Sequence, residues 1–214
     1  MIPPRIRRRR ATDLDGCVAA LTEVHRVDRY PLNWPTDPYR WLREPHPARA
    51  WVAIAADADA EDADAEDADA EDADADADAA IVGHVSVRRL PGPATGPPAR
   101  PTAEVARLFV VPAARGLALG SALLARARQW ASARGIDLVL DVTCGDDAAT
   151  ALYERTGWRC TGVSVASWTA PDGSPVSLRH YALRSDTVPA IAARRRASRP
   201  AASRSSGGSN TSTS

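Results

Sequence analysis

The stretch from Phe109 to Leu124 combines a strand, a turn and a helix start in a way that could bind an anion. An apolar run ends at Pro112, an Arg-Gly pair follows, and a helical pattern begins near Gly120. The first N–H groups of a helix have no acceptor within it and lie at the positive end of its dipole. Gly116 and Gly120 would let an anion approach the backbone, so the stretch predicts a phosphate or pyrophosphate site. The alternative is that the two glycines only permit tight packing of the helix against the sheet.

Two motifs carry a family resemblance. Arg115-Gly-Leu-Ala-Leu-Gly120 resembles the acyl-CoA-binding motif of the GNAT superfamily of N-acetyltransferases, Arg/Gln-x-x-Gly-x-Gly/Ala. Downstream, Asp146-Asp-Ala-Ala-Thr-Ala-Leu-Tyr-Glu-Arg-Thr-Gly-Trp158 is similar to that family's Asn-x-x-Ala-x-x-Leu-Tyr-Glu-x-x-Gly-Phe signature. A strand separates the two motifs, as in the family, and the resemblance covers roughly residues 10–184.

The resemblance implies an α/β (α+β) fold, with a mixed, mostly antiparallel sheet splayed between its two central strands and helices on both faces. Acetyl-CoA would lie where strands 104–111 and 137–144 separate, and an amine would attack its thioester directly. The pantetheine arm would bind the backbone of Phe109, Val110 and Val111, and an N–H near Val110 would polarise the thioester carbonyl. The pyrophosphate would lie on the N–H groups of seven successive residues: Arg115, Gly116, Leu117, Ala118, Leu119, Gly120 and Ser121.

The sequence departs from the family pattern at two positions near the cofactor. Ala118 replaces a glycine, and pyrophosphate binding should survive this unless the backbone there needs a positive φ. Asp146 replaces the usual Asn. It can cap the helix equally well, but it cannot donate an amide hydrogen bond and it brings a negative charge close to the cofactor.

An alkyl amine is mostly protonated at neutral pH, so a proton must leave before the nitrogen can attack. The resemblance makes Glu104 the candidate general base, acting through a water; the alternative is a structural pair with Arg107 or Arg179. Tyr153 is the candidate general acid that returns a proton to the departing thiolate. The alternative is a core tyrosine whose hydroxyl bonds a backbone group.

Three further residues are candidates for the acceptor pocket. Trp34 and Trp41 resemble the loop-and-helix region that lines this pocket in the family, where aromatic rings could hold an apolar or cationic amine. They could equally form a hydrophobic cap over the sheet. His84 could face the acceptor, although a lone strand histidine is also a common structural residue. The acceptor itself stays open among antibiotics, polyamines, amino acids and protein N-termini.

Hydrophobic periodicity predicts the elements that position these residues. A helix capped at Thr12 or Asp13 precedes an aromatic loop and a short helix near Trp41. Strands at 50–55 and 81–88 predict a hairpin with an expanded loop. The remaining prediction is a set of strands at 104–111, 136–143, 162–169 and 176–183, with helices ending near Arg134 and before Gly157.

Charge is distributed very unevenly. The segment 57–80 carries 13 of the 27 Asp and Glu residues and repeats Ala-Asp-Ala-Glu-Asp. The period of this repeat matches no buried face of a helix or strand. We therefore expect one domain, 10–186, into which 57–80 is inserted as an acidic low-complexity loop. All 27 basic residues are arginines. We expect residues 1–9 to be a disordered basic arm and 187–214 a disordered Arg/Ser-rich tail, with nucleic-acid binding unlikely for lack of a matching fold signature.

Other protein classes are excluded by what the sequence lacks. There is no apolar run of about 18 residues, so no membrane span is expected. The N-terminus lacks the apolar stretch of a secretory signal, which favours a cytoplasmic protein. Cys17, Cys144 and Cys160 are too few and too scattered for a disulfide framework or a zinc site, and we expect buried free thiols and no metal.

We interpret the chain as an N-acetyltransferase that uses acetyl-CoA as cosubstrate and a primary amine as acceptor, with a homodimer left open. One alternative is a non-catalytic acyl-CoA-binding regulatory module in which Ala118 and Asp146 mark lost chemistry. Another is an interaction protein in which the charged segments matter most. CoA release with a panel of amines, compared with CoA binding alone, separates the enzyme from the binding module.

Overall fold

The computed structural model describes residues 5–43, 47–55, 79–91 and 100–184. The strands are β1 (Arg5–Arg8), β2 (Arg49–Ile54), β3 (Ile81–Arg89), β4 (Thr102–Val110), β5 (Asp137–Thr143), β6 (Arg159–Thr169) and β7 (Pro175–Leu183). The helices are α1 (Leu14–Asp28), α2 (Pro38–Arg43), α3 (Leu119–Ser132) and α4 (Asp147–Arg155). The strands form one sheet in the order β1-β2-β3-β4-β5-β7-β6. Neighbouring strands are antiparallel except β4 and β5, which are parallel.

Helices cover both faces of the sheet, as predicted. Gly83 and His84 are consecutive in β3 and therefore point to opposite faces. A Cβ on Gly83 would lie 3.2 Å from Leu123 of α3. His84 instead meets the guanidinium of Arg9, which donates to the carbonyl of Leu42 in α2. Thus α3 lies on one face and α2 on the other.

The predicted hairpin between β2 and β3 is confirmed. The N–H of Ala55 donates to the carbonyl of Ala80 at 2.8 Å, so the two ends of the acidic segment lie side by side. A hairpin closed in this way tolerates a long connection, because closure entropy grows only logarithmically with loop length. Residues 57–78 of the predicted insert lie outside the described residues, as does the tail 187–214.

The prediction of a disordered arm is wrong for Arg5–Arg8, which pair with β2 as the edge strand β1. Backbone pairing needs no apolar side chains, and the arginines here have structural partners. The guanidinium of Arg7 donates to both carboxylate oxygens of Asp13 at 2.8 Å. Both side chains of this pair are less than a tenth exposed. Residues 1–4 of the predicted arm lie outside the described residues.

The cysteine prediction holds for Cys17, which is buried in α1, and fails for Cys144 and Cys160, which are exposed. Cys144 lies in the turn just after β5, and Cys160 lies in β6, an edge strand with little cover. No helix in the described ranges combines the length and apolar character needed to cross a membrane.

Candidate active site

The central strands β4 and β5 pair at their starts and then separate. Thr102, Ala103 and Glu104 oppose Asp137, Leu138 and Val139, and no further pair forms although β4 runs on to Val110 and β5 to Thr143. We call the position after Glu104 and Val139 the fork. A bulge in β4 accompanies it: the β3–β4 register shifts between His84 and Ser86, and Arg107 has a φ of 54°. Because a bulge bends its strand, it turns β4 away from β5.

The backbone of β4 presents hydrogen-bonding groups to the gap beyond the fork. The N–H of Val111 donates to Val82 of β3 at 2.9 Å, so the N–H and C=O of Val110 point the other way, towards β5. Phe109 opposes His84 in the β3 register and shares the orientation of Val111. Of the three predicted pantetheine contacts, Val110 is therefore the one that offers its amide to a ligand between the strands.

The turn before α3 exposes a run of amide groups. Arg115, Gly116, Leu117 and Ala118 are exposed, and the first bond within α3 runs from the N–H of Ala122 to the carbonyl of Ala118. The N–H groups at the start of the helix therefore have no intrahelical acceptor. Those of residues 116–118 make no backbone hydrogen bond within the described part of the chain. The N–H of Arg115 is different, because it donates to the carbonyl of Pro112 at 3.2 Å.

The two glycines of this turn are present for different reasons. Gly116 has a φ of 81° and a Cβ there would meet nothing within 4 Å, so its backbone conformation is what requires glycine. Gly120 has close neighbours instead: its Cβ would lie 3.1 Å from Leu152 of α4. The packing alternative therefore holds for Gly120, between two helices, and not for Gly116. Ala118 has a φ of 57°. Pyrophosphate binding is expected to tolerate an alanine here unless the backbone needs a positive φ, and the backbone does have one.

The side chain of Arg115 is exposed, but its guanidinium is bonded to other residues of this chain. It forms an ion pair with Asp28 at the end of α1, which raises the pKa of the guanidinium. It also donates to the carbonyl of Val110, from Nε at 3.4 Å and from Nη2 at 3.3 Å. Arg115 thus ties the turn to α1 and β4. Asp146, the other charged residue expected near a cofactor, caps α4 by accepting from the N–H of Ala149 at 2.9 Å.

Glu104 is the last β4 residue before the fork. It forms an ion pair with Arg88 of β3, a partner that the structural alternative did not name. Burial raises the pKa of Glu104, and the charge of Arg88 opposes this; the net shift is upward from the usual 4.5. A carboxylate with a raised pKa is a stronger base than an exposed one.

Tyr153 is buried at the end of α4, with its ring 6.1 Å from Trp158 and 5.7 Å from Tyr181, centre to centre. Burial raises its pKa well above the usual 10, so the hydroxyl stays protonated. Within the described residues this hydroxyl has no hydrogen-bond partner. Tyr30 lies near both Tyr153 and Arg107, which places the tyrosine pair beside the bulge of β4; burial raises the pKa of Tyr30 to about 12.

The two tryptophans predicted to line the acceptor pocket, Trp34 and Trp41, lie in different parts of the structure. The guanidinium carbon of Arg107 lies over the ring of Trp41, 4.6 Å from the ring centre, so Trp41 is close to the bulge. Trp34 is partly exposed, and its neighbour Asn33 donates to the carbonyl of Thr169 in β6 at 2.8 Å, so the aromatic loop reaches across to the far strands.

His84 does not reach the surface, contrary to the prediction that it could face an acceptor. It is fully buried, and its Nδ1 lies 2.9 Å from the carbonyl of Arg107. Its Nε2 lies 3.0 Å from the guanidinium of Arg9. With the proton on Nδ1 both contacts are satisfied, and burial lowers the pKa to about 3, so the ring is neutral. Its role is structural: it ties the bulge to the core.

The sequence model of the Acetyltransferase (GNAT) family matches residues 27–158, which is more than half of the chain. The chain belongs to the GNAT family of acetyltransferases. The predicted family, fold class and acyltransferase activity are thereby confirmed.

Solved structures share the fold of this acetyltransferase at low sequence identity. Arabidopsis thaliana NAA60 in complex with acetyl-CoA superimposes with a TM-score of 0.62 at 15% identity, covering 86% of this chain and 99% of that one. The ribosomal-protein-S18-alanine N-acetyltransferase from Escherichia coli gives 0.59 at 16%, covering 86% and 96%. The ribosomal-protein-alanine N-acetyltransferase from Brucella melitensis gives 0.59 at 20%, covering 84% and 99%. No curated protein sequence matches the chain.

Sequence reasoning missed several residues at the site of this acetyltransferase. Arg88 pairs with Glu104 across two strands, and strand register carries no signal in a single sequence. Asp28 is 87 residues from its partner Arg115. Tyr30 lies four residues before Trp34, in the region that resembles the family's acceptor pocket, so the same resemblance could have indicated it.

Proposed function

We propose that this acetyltransferase transfers an acetyl group from acetyl-CoA to a primary amine by direct attack of the amine nitrogen on the thioester. The fork carries the proposal. An extended pantetheine arm has the shape of the missing strand between β4 and β5, and the N–H of Val110 offers it a donor, whereas the carbonyl of Val110 already accepts from Arg115. As the amine adds, the carbonyl oxygen becomes negative, and an N–H aimed at it stabilises that charge.

The start of α3 supports binding of the cofactor's phosphates. Exposed amides from Gly116 onward meet the positive end of the helix dipole, where a diphosphate is favoured. A cleft of about 470 Å³ lies along α3 and α4, with Ser121 on its wall and two arginines, Arg128 and Arg155. It lies outside the fork, and its charge suits the nucleotide end of CoA rather than the acetyl group.

Two side chains support the proton steps. Glu104 at the fork takes a proton from the entering amine through a water, since its raised pKa makes it a better base. The nitrogen–carbon bond then forms and the carbon–sulfur bond breaks. Tyr153 keeps its proton at neutral pH and, as the general acid, gives it to the departing sulfur, so CoA leaves as the thiol. The tyrosine oxygen then takes up the proton that the new amide nitrogen loses.

Purified full-length protein incubated with acetyl-CoA and a panel of amines tests the proposal. The panel contains a monoamine, a polyamine, an aminoglycoside, an amino acid and a peptide with an N-terminal alanine. The peptide is included because two of the similar structures are named as ribosomal-protein alanine N-acetyltransferases. We expect amine-dependent CoA release with a product heavier by one acetyl group. Tight CoA binding in calorimetry without release in any arm would overturn the proposal in favour of a binding module.

A further inference from the structure

Three polar side chains form a continuous series of hydrogen bonds across the far half of the sheet. Nδ1 of His180 in β7 lies 2.6 Å from Oδ1 of Asp141 in β5. Nε2 of the same ring lies 2.8 Å from Oγ of Ser164 in β6. With a proton on Nδ1, the ring donates to the carboxylate and accepts from the serine hydroxyl. None of the three takes part in the steps proposed above.

The series begins next to the fork. Asp141 is two residues beyond Val139, the last residue of β5 that pairs with β4, so both side chains lie on the same face. Glu104 opposes Val139 and shares that face. The carboxylate of Asp141 is close enough to Glu104 to be one of the influences that raise the pKa of that residue. Two carboxylates therefore flank the point at which the strands separate.

The face that carries Asp141 is the one open to an incoming molecule. The alternating residues of β5 on the other face, Leu138, Leu140 and Val142, are buried. By contrast, the side chain of Asp141 is 46% exposed and Ser164 is exposed. A substrate that reaches the fork from this side passes the carboxylate of Asp141.

The two carboxylates beside the fork, Glu104 and Asp141, have different partners. Glu104 is paired with Arg88, so that pair carries no net charge. Asp141 is bonded to a histidine, and no arginine pairs with it within the described residues. One of its carboxylate oxygens is bonded to His180, and the side chain is 46% exposed, so the carboxylate is accessible beside the fork.

We propose that Asp141, positioned by His180 and Ser164, binds the protonated nitrogen of the acceptor, so that the substrate class is cationic alkyl amines. This inference rests on the proposed acetyl transfer to an amine. The ammonium group donates to the second oxygen of Asp141, and Glu104 then removes a proton at the fork. His180 is a positioning residue: its bond to the first oxygen fixes the carboxylate, and Ser164 fixes the ring.

The Asp141→Asn variant tests the binding role with two amines of different charge. An alkyl amine is a cation at neutral pH, whereas methoxyamine is mostly uncharged. We expect the KM for the alkyl amine to rise about tenfold, the value of one hydrogen bond to a charged group, with kcat little changed. The KM for methoxyamine should stay within about twofold. An unchanged KM for the alkyl amine, or an equal rise for both amines, would overturn the proposal.

Asp137→Asn is the matched control. It removes the same charge from the same strand and face, on the paired side of the fork, where Asp137 lies near Arg100 and Arg184. We expect both KM values to match those of the unchanged protein. A rise equal to that of Asp141→Asn would show that overall charge, and not the site, is responsible, and would count against the proposal.

Two replacements of His180 separate positioning from stability. His180→Phe removes both hydrogen bonds and should raise the KM for the alkyl amine several-fold, whereas the amide of His180→Gln can still donate to Asp141 and should restore most of the affinity. A KM that is unchanged in both variants, with only Tm lowered, would refute the positioning role.

Calorimetry keeps this inference separate from the proposed function. Alkyl amine is titrated into full-length protein saturated with CoA, with and without Asp141→Asn. Binding that Asp141→Asn weakens supports the ammonium site even if no amine is acetylated, in which case only the proposed transfer fails. Equal binding by both proteins overturns the site while leaving acetyl transfer intact.

Discussion

Arg88 of β3 and Glu104 of β4 form an ion pair at the last residue where β4 and β5 still pair. The pair adjusts the basicity of the carboxylate. Burial raises the pKa of Glu104, Arg88 lowers it, and the result remains above 4.5. A general base works only when ionised, so kcat/KM should fall as the pH drops through this raised pKa.

Replacing Arg88 with Ala should move that acidic limb to higher pH. The guanidinium favours the ionised carboxylate, and its removal leaves burial unopposed, so the pKa of Glu104 rises further. Glu104→Gln should abolish the limb. A pH–rate profile of kcat/KM measures both effects, with Arg89→Ala as control, since Arg89 stacks on Trp130 and is not paired with Glu104. Identical limbs in all four proteins would leave Glu104 a structural residue.

Tyr153→Phe should lower kcat by about a hundredfold, the usual contribution of one acid or hydrogen-bond donor at a reacting group. Affinity for acetyl-CoA should change little, because the ring keeps its packing against Trp158 and Tyr181. Steady-state kinetics and calorimetry measure the two quantities. Tyr181→Phe is the matched control, since it removes a hydroxyl that donates to Glu154 at 3.1 Å. Equal kcat in the Tyr153 variant and the control would remove Tyr153 from the mechanism.

Gly116→Val should weaken acetyl-CoA binding about tenfold, the effect of roughly 1–2 kcal/mol of backbone strain at positive φ. The cause is conformation and not space, because a Cβ at Gly116 meets nothing within 4 Å. Gly116→Asn should bind more tightly than the valine variant, since Asn adopts this region more readily than a β-branched residue. Calorimetry gives both affinities. If valine binds acetyl-CoA as well as glycine does, the turn is not a phosphate site.

Ala118→Gly should stabilise the protein by about 0.5–1 kcal/mol, because glycine relieves an alanine held at positive φ. The same exchange at Ala122, an exposed residue inside α3, should cost about 1 kcal/mol through lost helix propensity. Urea unfolding measures both changes, and their opposite signs are the test. A loss of stability at both positions would mean that Ala118 is not strained.

Much of the fold followed from local patterns. The hairpin of β2 and β3 and the cap of α4 at Asp146 were predicted from alternation and capping chemistry and are confirmed. The sequence did not predict β1, because Arg5–Arg8 has no alternation of apolar and polar residues. This strand is stabilised by backbone pairing with β2 and by the buried ion pair of Arg7 with Asp13. Such pairing is a tertiary property, so local propensity gave no sign of it.

The site was predictable only where it is made of contiguous chain. The turn from Arg115 to Ser121 is one segment, and its exposed amides follow from helix geometry. The partner of Glu104 depends on strand register, which a single sequence does not contain. Asp141, His180 and Ser164 meet because β7 lies between β5 and β6 in the sheet, although β6 precedes β7 in the chain. That order arises from packing of the whole domain.

His84 should make the stability of the protein depend on pH. Burial lowers its pKa from 6.5 to about 3 in the folded state, so unfolding takes up a proton between these values. The neutral ring therefore makes its full contribution to the free energy of unfolding above pH 6.5. Between pH 6.5 and about 3, this free energy falls by about 1.4 kcal/mol for each pH unit. Urea unfolding at pH 7 and at pH 5 measures the loss. His84→Gln, which removes the titrating group, should be less stable at pH 7 but should lose less on acidification. Parallel losses in the two proteins would show that His84 is not the group that titrates.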